Sequence, residues 1–304
     1  MDLIEPLVWI VIPTRNRSAD LIDCINSVKK QTYHNKKIVV VDNNSEDDSL
    51  EILHSIFPNI DILCLKRNFG ASYATNRGFE FALNHEAKFV LRLDSDTILD
   101  EEYLTKLIEI ILMVPDTAIV SGTIFYYSEP ESIWFTGANL TKFDLNAKFL
   151  NINESDNGLL NQYYEVDLLP STGMLISRET IEQLNGFDED YLVYYEDFDF
   201  CLRTKKTGKK IIYVPGAKMW HKIFSNKKSV GTAFIWNKSK MIYYRKHATN
   251  IIHLGFLVIY AISYAFFRAC FPKEDRGNRG PLIPTIKGLV KGLFIELNTD
   301  QNNN

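Results

Sequence analysis

The chain has 304 residues, of which 46% are hydrophobic and 24% charged, with a formal net charge of −4. That balance suits one large globular domain, or a catalytic domain with an appendage, and excludes a small module held together by disulfides. Cys24, Cys64, Cys201 and Cys270 form no Cys-x-x-Cys pair, so they read as reduced thiols of a cytosolic protein rather than a zinc site or a disulfide framework.

Residues 1–6 show no basic stretch followed by an apolar one, and no signal peptide is expected. Val8 to Ile12 is a continuous apolar run, as in a strand buried on both faces. Pro13-Thr14-Arg15-Asn16-Arg17 breaks it, and Leu21, Ile22, Ile25 and Val28 then fall at helical spacing. Ile38 to Val41 is a second strand, stopping at the loop-forming cluster Asp42-Asn43-Asn44-Ser45. A short helix through Leu50 and Ile56 ends at Pro58, and Ile60 to Leu65 is a third strand. Asn68-Phe69-Gly70 turns into a helix reaching about Asn84, and Phe89 to Leu93 is a fourth strand. A helix starting near Asp100 carries Leu104, Leu107, Ile108, Ile111 and Leu112, and Ala118 to Val120 is a fifth strand. This alternation predicts an α/β fold with a mostly parallel sheet flanked by helices. Ligands of such sheets bind beyond the carboxyl ends of the strands, where Asp42, Asn68 and Asp94 all fall.

The middle is less regular. Short strands are expected around 125–127, 133–135 and 140–143, and a polar loop over 151–161. Met174 to Ile176 leads into a helix from Arg178 to Leu184, stopped at Gly186. Ile211 to Val214 is a strand ended by Pro215-Gly216, ahead of Met219-Trp220-His221. A loop over 225–231 with Lys227 and Lys228 is placed to close over a diphosphate. No acidic residue occurs between Asp199 and Glu274, an interval holding Arg203, Lys205, Lys206, Lys222, Arg245 and Lys246 among other cations. A one-sign block reads as a surface for an anionic partner, although no nucleic-acid-binding motif accompanies it. Ile251 to Phe267 is apolar and sits at or below the length of about 20 residues that a bilayer span needs. Beyond a Pro/Gly-rich connector, Ile286, Leu289, Val290, Leu293 and Phe294 make an apolar stripe that Gly288 and Gly292 weaken as an isolated helix. The tail is open to three readings: a core or oligomer helix pair, an interfacial membrane element, or a span. The Asn-rich end is expected to be disordered.

Asp94-Ser95-Asp96 ends a buried strand, where two carboxylates suit a hard divalent cation such as Mn2+ or Mg2+; capping of the next helix is the competing reading. Asp42 fits either a base or ribose contact or an Asx-turn. Asn68 and Asn76 bring amides towards the same edge. Glu196-Asp197 supplies a candidate general base, though acids at a helix start are also favoured by the helix dipole. His221 is either a further metal ligand or a structural histidine.

Taken together, Ile12-Pro13-Thr14-Arg15-Asn16, Val40-Val41-Asp42-Asn43-Asn44-Ser45, Asn68-Phe69-Gly70, Asn76-Arg77-Gly78, Asp94-Ser95-Asp96, Gly186-Phe187-Asp188 and Glu196-Asp197-Phe198-Asp199 with Arg203 resemble the family 2 glycosyltransferases of the GT-A fold. The resemblance covers about residues 7–225, and the apolar tail looks like those of the rhamnosyltransferase-like branch. It implies a GT-A catalytic domain over 1–230, with a nucleotide-sugar half (1–123) and an acceptor half (124–230), and a helical region over 231–304, membrane-associated or oligomerising. It further implies inverting transfer from a nucleotide-diphosphate sugar, dTDP-rhamnose or a UDP-sugar. The acceptor would be a glycan or a polyprenyl-diphosphate-linked glycan, at the cytoplasmic face of an anionic membrane. In that scheme Pro13, Thr14, Arg15, Asn68, Asn76 and Ser95 line the donor site, Asp42 meets the base and Asp94 the ribose. Asp96, with His221, binds the metal, and Asp197 takes the acceptor proton with support from Glu196. The loop after Asp42 lacks the glycine often found there. Ser171-Thr172-Gly173 and Trp220 would shape the acceptor pocket. A sugar-1-phosphate nucleotidyltransferase needs a glycine-rich basic loop after the first strand, which Pro13-Thr14-Arg15-Asn16 is not. A non-catalytic sugar-nucleotide binder or membrane scaffold would not need Asp94, Asp96 and Asp197 together.

Overall fold

A computed structural model gives the fold and describes residues 5–141, 143–155, 162–223, 230–270 and 282–297. The first half alternates as expected: β1 (Val8–Thr14), α1 (Ser18–Lys29), β2 (Lys36–Asp42), α2 (Ser49–Ile56), β3 (Asp61–Cys64), α3 (Ala71–Asn84) and β4 (Phe89–Arg92). A short β5 (Thr97–Leu99) precedes α4 (Tyr103–Met113) and the long β6 (Thr117–Tyr126). Then come β7 (Ile133–Phe135), β8 (Ala138–Leu140), β9 (Ala147–Phe149), β10 (Tyr164–Glu165), β11 (Met174–Ser177), α5 (Arg178–Leu184), α6 (Glu196–Lys206) and β12 (Lys210–His221). Three helices close the chain: α7 (Val230–His247), α8 (Ile251–Cys270) and α9 (Leu282–Phe294).

The main sheet runs β10-β12-β6-β11-β4-β1-β2-β3. β1 pairs in parallel with β2 and β4, and β2 with β3, so Thr14, Asp42 and the residues after Arg92 leave the sheet at one edge. The apolar run of β1 is buried from Val8 to Ile12 because helices cover both sheet faces. Gly78 sets how closely α3 approaches: a Cβ there would lie 2.2 Å from Val11 Cγ1. β11 enters antiparallel between β4 and β6, and residues 123 and 124 both lie inside β6. The two expected halves, 1–123 and 124–230, therefore share one continuous sheet.

Three features differ from expectation. Pro215-Gly216 does not end the last strand. A register shift between Val214 and Lys218 absorbs the turn, and Gly216 takes φ +82° so that β12 continues to His221. β5, not foreseen, pairs antiparallel with that continuation, His221 opposite Thr97. The expected strand over 140–143 is instead the β8–β9 hairpin. The loop expected over 225–231, the connector after residue 270, the Asn-rich end and much of the loop over 151–161 lie outside the described residues.

α7, α8 and α9 share a second core with Met241, Ile242, Tyr243, Tyr244, Leu257 and Leu289. Gly288 and Gly292 explain themselves there: a Cβ would lie 2.3 Å from the Phe234 carbonyl oxygen and 2.4 Å from that of Lys238, so only glycine admits this crossing of α9 over α7. α8 is long and apolar enough to cross a membrane, with mean hydropathy 1.7, and only 17% of its most apolar window is buried. Ile251, Ile252, Ile259 and Phe266 stand exposed on it. Several cations of the basic interval pair with carboxylates from elsewhere in the chain. Lys205 pairs with Glu165 and Asp167, Lys222 with Asp20 and Asp23, and buried Lys246 with Asp188 and Asp190. These three lysines are therefore held by intramolecular pairs rather than offered to an anionic partner.

Candidate active site

The edge where β1, β2 and β4 end carries the first group of polar residues. Asp94 and Asp96 follow β4, and the continuation of β12 lays His221 beside them. His221 Nε2 is 3.0 Å from Asp96 Oδ1 and 3.9 Å from Asp94 Oδ2. One ligand atom from each of the three lies within 4.8 Å of the others. Two carboxylates and an imidazole within that radius fit a hard-to-borderline divalent cation. Asp94 also pairs with the Arg92 guanidinium at 2.5 Å, while Arg17 Nη1 stands 3.6 Å from Asp96 Oδ2. Burial pushes the Asp94 carboxyl up, but Arg92, His221 and the Thr172 hydroxyl outweigh it and hold Asp94 below the ordinary carboxylate range. An ionised Asp94 is what a metal ligand or a ribose acceptor requires. Helix capping by this pair is not seen, since α4 begins only at Tyr103 with no side-chain cap.

The expected donor-site residues divide. Thr14 is buried at the end of β1, and its Oγ1 has no hydrogen-bond partner among the described residues. Pro13 sits beside it in the strand, and Arg15 pairs with Glu46 at 3.3 Å. Asp42 is buried, and its carboxylate accepts the Ser45 backbone N–H at 3.1 Å, the turn-closing bond foreseen as the alternative to a base contact. Asn68 Oδ1 accepts from Asn43 Nδ2 and from the Gly70 N–H, which fixes the β3–α3 loop. Ser95 is buried between the two aspartates. Asn76 departs from expectation. Its Nδ2 donates to the Phe187 carbonyl and to Glu189, and its Oδ1 accepts the Phe187 N–H at 2.8 Å. That amide is committed to holding the Gly186-Phe187 turn, with both of its N–H donors used there.

Glu196 and Asp197 open α6 after a turn in which Tyr194 and Tyr195 both take φ +69°. Two consecutive left-handed tyrosines cost of order 1–3 kcal/mol each, and the turn sets the start of α6 in the same cavity as Asp94 and His221. Asp197 accepts the N–H groups of Phe198 (2.9 Å) and Ser171 (3.4 Å). Glu196 Oε2 is buried without a hydrogen-bond partner among the described residues. Burial pushes Asp197 up to about 6, against the N–H groups of Phe198 and Ser171 and the charge of Arg92. Burial, then the Asp197 charge, push Glu196 up to about 8. The helix dipole favours both carboxylates but is worth only about 0.3–1 kcal/mol, so desolvation wins. Further along α6, buried Asp199 binds Arg203 (2.7 Å) and His247 (2.8 Å). Burial would raise its carboxyl, but Arg203 and the hydrogen bond from His247 bring it down to about 2.

A cavity of about 460 Å³ joins the two groups. Arg92, Asp94 and His221 lie on one side and Glu196 and Asp197 on the other, with Trp134, Phe149, Tyr194 and Trp236 in the walls. Arg92, Arg17, Trp134 and Trp236 were missed as site residues. Only Arg92 carried a signal, as a lone cation inside the apolar strand Phe89-Val90-Leu91-Arg92-Leu93. Trp220, expected near the acceptor, instead donates to the Pro130 carbonyl and stacks on Phe125.

Comparison with known proteins places these features in a family. The profile named "Glycosyl transferase family 2" matches residues 9–184. The dTDP-rhamnosyl transferase RfbF of Shigella flexneri is 27% identical over 217 residues, covering 71% of this chain and 69% of that protein. The O-antigen chain rhamnosyltransferase RfbN of Salmonella typhimurium is 23% identical over 225 residues, covering 70% and 66%. Among solved structures, GalNAc-T7 with UDP, GalNAc and Mn2+ superposes with TM-score 0.61 at 17% identity, covering 81% of this chain and 51% of that one. Residues 1–349 of TarS from S. aureus give TM-score 0.58 at 17% identity, covering 94% and 81%. This chain thus spans about two thirds of RfbF and RfbN and about half of GalNAc-T7. At such identities the structural likeness carries the fold alone, and it agrees with the GT-A architecture that the sequence implied.

Proposed function

The chain belongs to glycosyl transferase family 2, and from that premise we propose that it transfers a sugar, with inversion, from a nucleotide-diphosphate donor to a glycan or a polyprenyl-diphosphate-linked glycan in surface polysaccharide synthesis. The observation that carries this is one cavity with a metal-ligand group at one side and a buried carboxylate pair at the other. The names of RfbF and RfbN favour dTDP-rhamnose, and the UDP bound in GalNAc-T7 keeps a UDP-sugar in play.

In this reading Asp94, Asp96 and His221 hold Mn2+ or Mg2+, which when bound offsets the charge that builds on the departing diphosphate. Asp42, Asn68, Thr14, Pro13, Arg15 and Ser95 border the nucleotide, with Asp42 towards the base and Asp94 shared between ribose and metal. Asp197 takes the proton of the acceptor hydroxyl. A carboxyl raised to about 6 is ionised at neutral pH yet more basic than an ordinary aspartate, which suits a general base. Glu196, raised higher, keeps its proton, so the pair carries one negative charge and Asp197 is its ionised member. The exposed apolar face of α8, with Arg268 at its end, supports peripheral contact with the anionic inner face of a cell membrane, where a lipid-linked acceptor would lie. The same face would serve a homo-oligomer.

A thermal-shift titration tests the donor site. At a hundredfold excess over Kd, a bound nucleotide-sugar stabilises by about 2.7 kcal/mol. The preferred donor is expected to raise the melting temperature with Mn2+ and to lose that effect in EDTA or in Asp96→Asn. Equal stabilisation with and without metal would rule out the metal-bound donor.

A further inference from the structure

We propose that α7 completes the acceptor site: Trp236, with Tyr194, Trp134 and Phe149, forms an aromatic wall that seats the ring of the acceptor sugar beside Asp197. The proposal rests on the transferase reading above and names the part of the cavity that reading leaves unassigned. Trp236 lies beyond residues 9–184, the part that matches the family, yet it lines the same cavity as Asp197. Its ring centroid is 4.9 Å from that of Tyr194 and 5.4 Å from that of Tyr195, the two strained residues that precede α6. Trp134 closes the other side, edge-on to His221 at 5.0 Å. Trp236 is not held by chance. Ser239 Oγ donates to the Val193 carbonyl at 2.9 Å, and Lys246 and His247 tie the far end of α7 to Asp190 (2.6 Å) and Asp199 (2.8 Å).

The chemistry of the lining selects the occupant. A metal-bound diphosphate belongs at the Asp94 side, because the Glu196–Asp197 pair repels it. A bare hydrocarbon chain would leave Glu196 Oε2 buried without a hydrogen-bond partner, an arrangement that costs free energy. A sugar satisfies both walls: its hydroxyls reach the carboxylates, and its C–H face lies on the flat rings. Aromatic plates give large contact area at low entropy cost. The volume of about 460 Å³ is in the range of small-ligand pockets.

The test uses the full chain with Mn2+ and UDP or dTDP, and a panel of neutral methyl glycosides as probes, with binding followed by ligand-observed NMR. At least one glycoside is expected to bind. Trp236→Ala should weaken it about tenfold and Trp236→Phe less than threefold, while the melting shift given by the nucleotide stays the same. Phe149→Ala, at an exposed position on β9, should weaken binding in the same direction and covers the case in which Trp236→Ala does not fold. Failure of every glycoside to bind the unaltered chain, or unchanged affinity in the folded variants, overturns the wall. Turnover of the donor panel is scored separately, so absence of transfer with glycoside binding intact would count against the transferase reading and not against this site.

Discussion

Asp197 sits where opposing influences meet. Burial lifts its carboxyl to about 6 while two backbone N–H groups hold it in place. Asp197→Asn keeps the shape and removes the base, and transfer is expected to fall by about 10²–10⁴ while nucleotide still raises the melting temperature. Near-normal turnover would sink the assignment. In the unaltered enzyme the ionised form is the active one, so kcat/KM should drop about tenfold per pH unit below about 6. Glu196 yields a stability prediction of the opposite kind. Its folded value, about 8, lies above the ordinary 4.5, so its favourable contribution is complete below 4.5 and is lost as pH rises towards 8. Glu196→Gln should therefore raise the melting temperature at neutral pH by a few degrees, with the gain closing as pH falls towards 4.5. A variant equally stable at every pH would argue that Glu196 is not desolvated. The placement of Asp94 and Asp96 after β4 and of Asp197 at the start of α6 was legible, because each follows or starts a patterned element. Asn76 was misread because sequence shows an amide near an edge but not the Phe187 backbone that occupies it.

Two elements were delimited only by the structure, for physical reasons. α7 lies between the catalytic domain and α9, so residues on several sides are covered and no single apolar stripe marks it. β12 crosses a Pro-Gly pair that normally stops a strand, and only its long pairing with β6 reveals the bulge. That continuation brings His221 to Asp96 across 125 residues of chain, a juxtaposition no local pattern encodes. α9 provides a test in which two effects oppose. Gly292→Ala improves intrinsic helix propensity by about 1 kcal/mol. Here, however, the new methyl would meet the Lys238 carbonyl oxygen at 2.4 Å, in a crossing that cannot open without losing core contacts. Overpacking of that kind costs about 1–3 kcal/mol, so net destabilisation of about 1 kcal/mol is expected in urea titration. A stabilised variant would mean that α9 does not dock on α7.

At the level of the whole molecule, fold class was readable early, because alternating strands and helices with fully apolar β runs leave few architectures open. The pairing of Lys205, Lys222 and Lys246 was not, since their acidic partners come from residues 20–23, 165–167 and 188–190. What remains exposed is the apolar face of α8. Ile252, Ile259 and Phe266 recur every seven residues and stand 82%, 67% and 51% exposed. Changing all three to Asp is expected to abolish flotation with anionic vesicles and leave the melting temperature within about 2 °C, because none of the three is buried. Undiminished flotation would exclude the lipid contact, and a fall in molecular mass instead would assign the face to self-association.

The ion pairs at the end of α7 decide where this chain can be recombined with a relative. A hybrid joined between residues 223 and 230 inherits Asp188, Asp190 and Asp199 but receives a foreign helix in place of Lys246 and His247. Unless that helix brings cations to the same spots, Asp188 and Asp190 lose the lysine that neutralises them and Asp199 retains Arg203 alone. Breaking one such pair typically costs about 3–5 kcal/mol, a large part of what holds an ordinary domain folded. The portable tail therefore begins at α8, and α7 travels with the catalytic sheet.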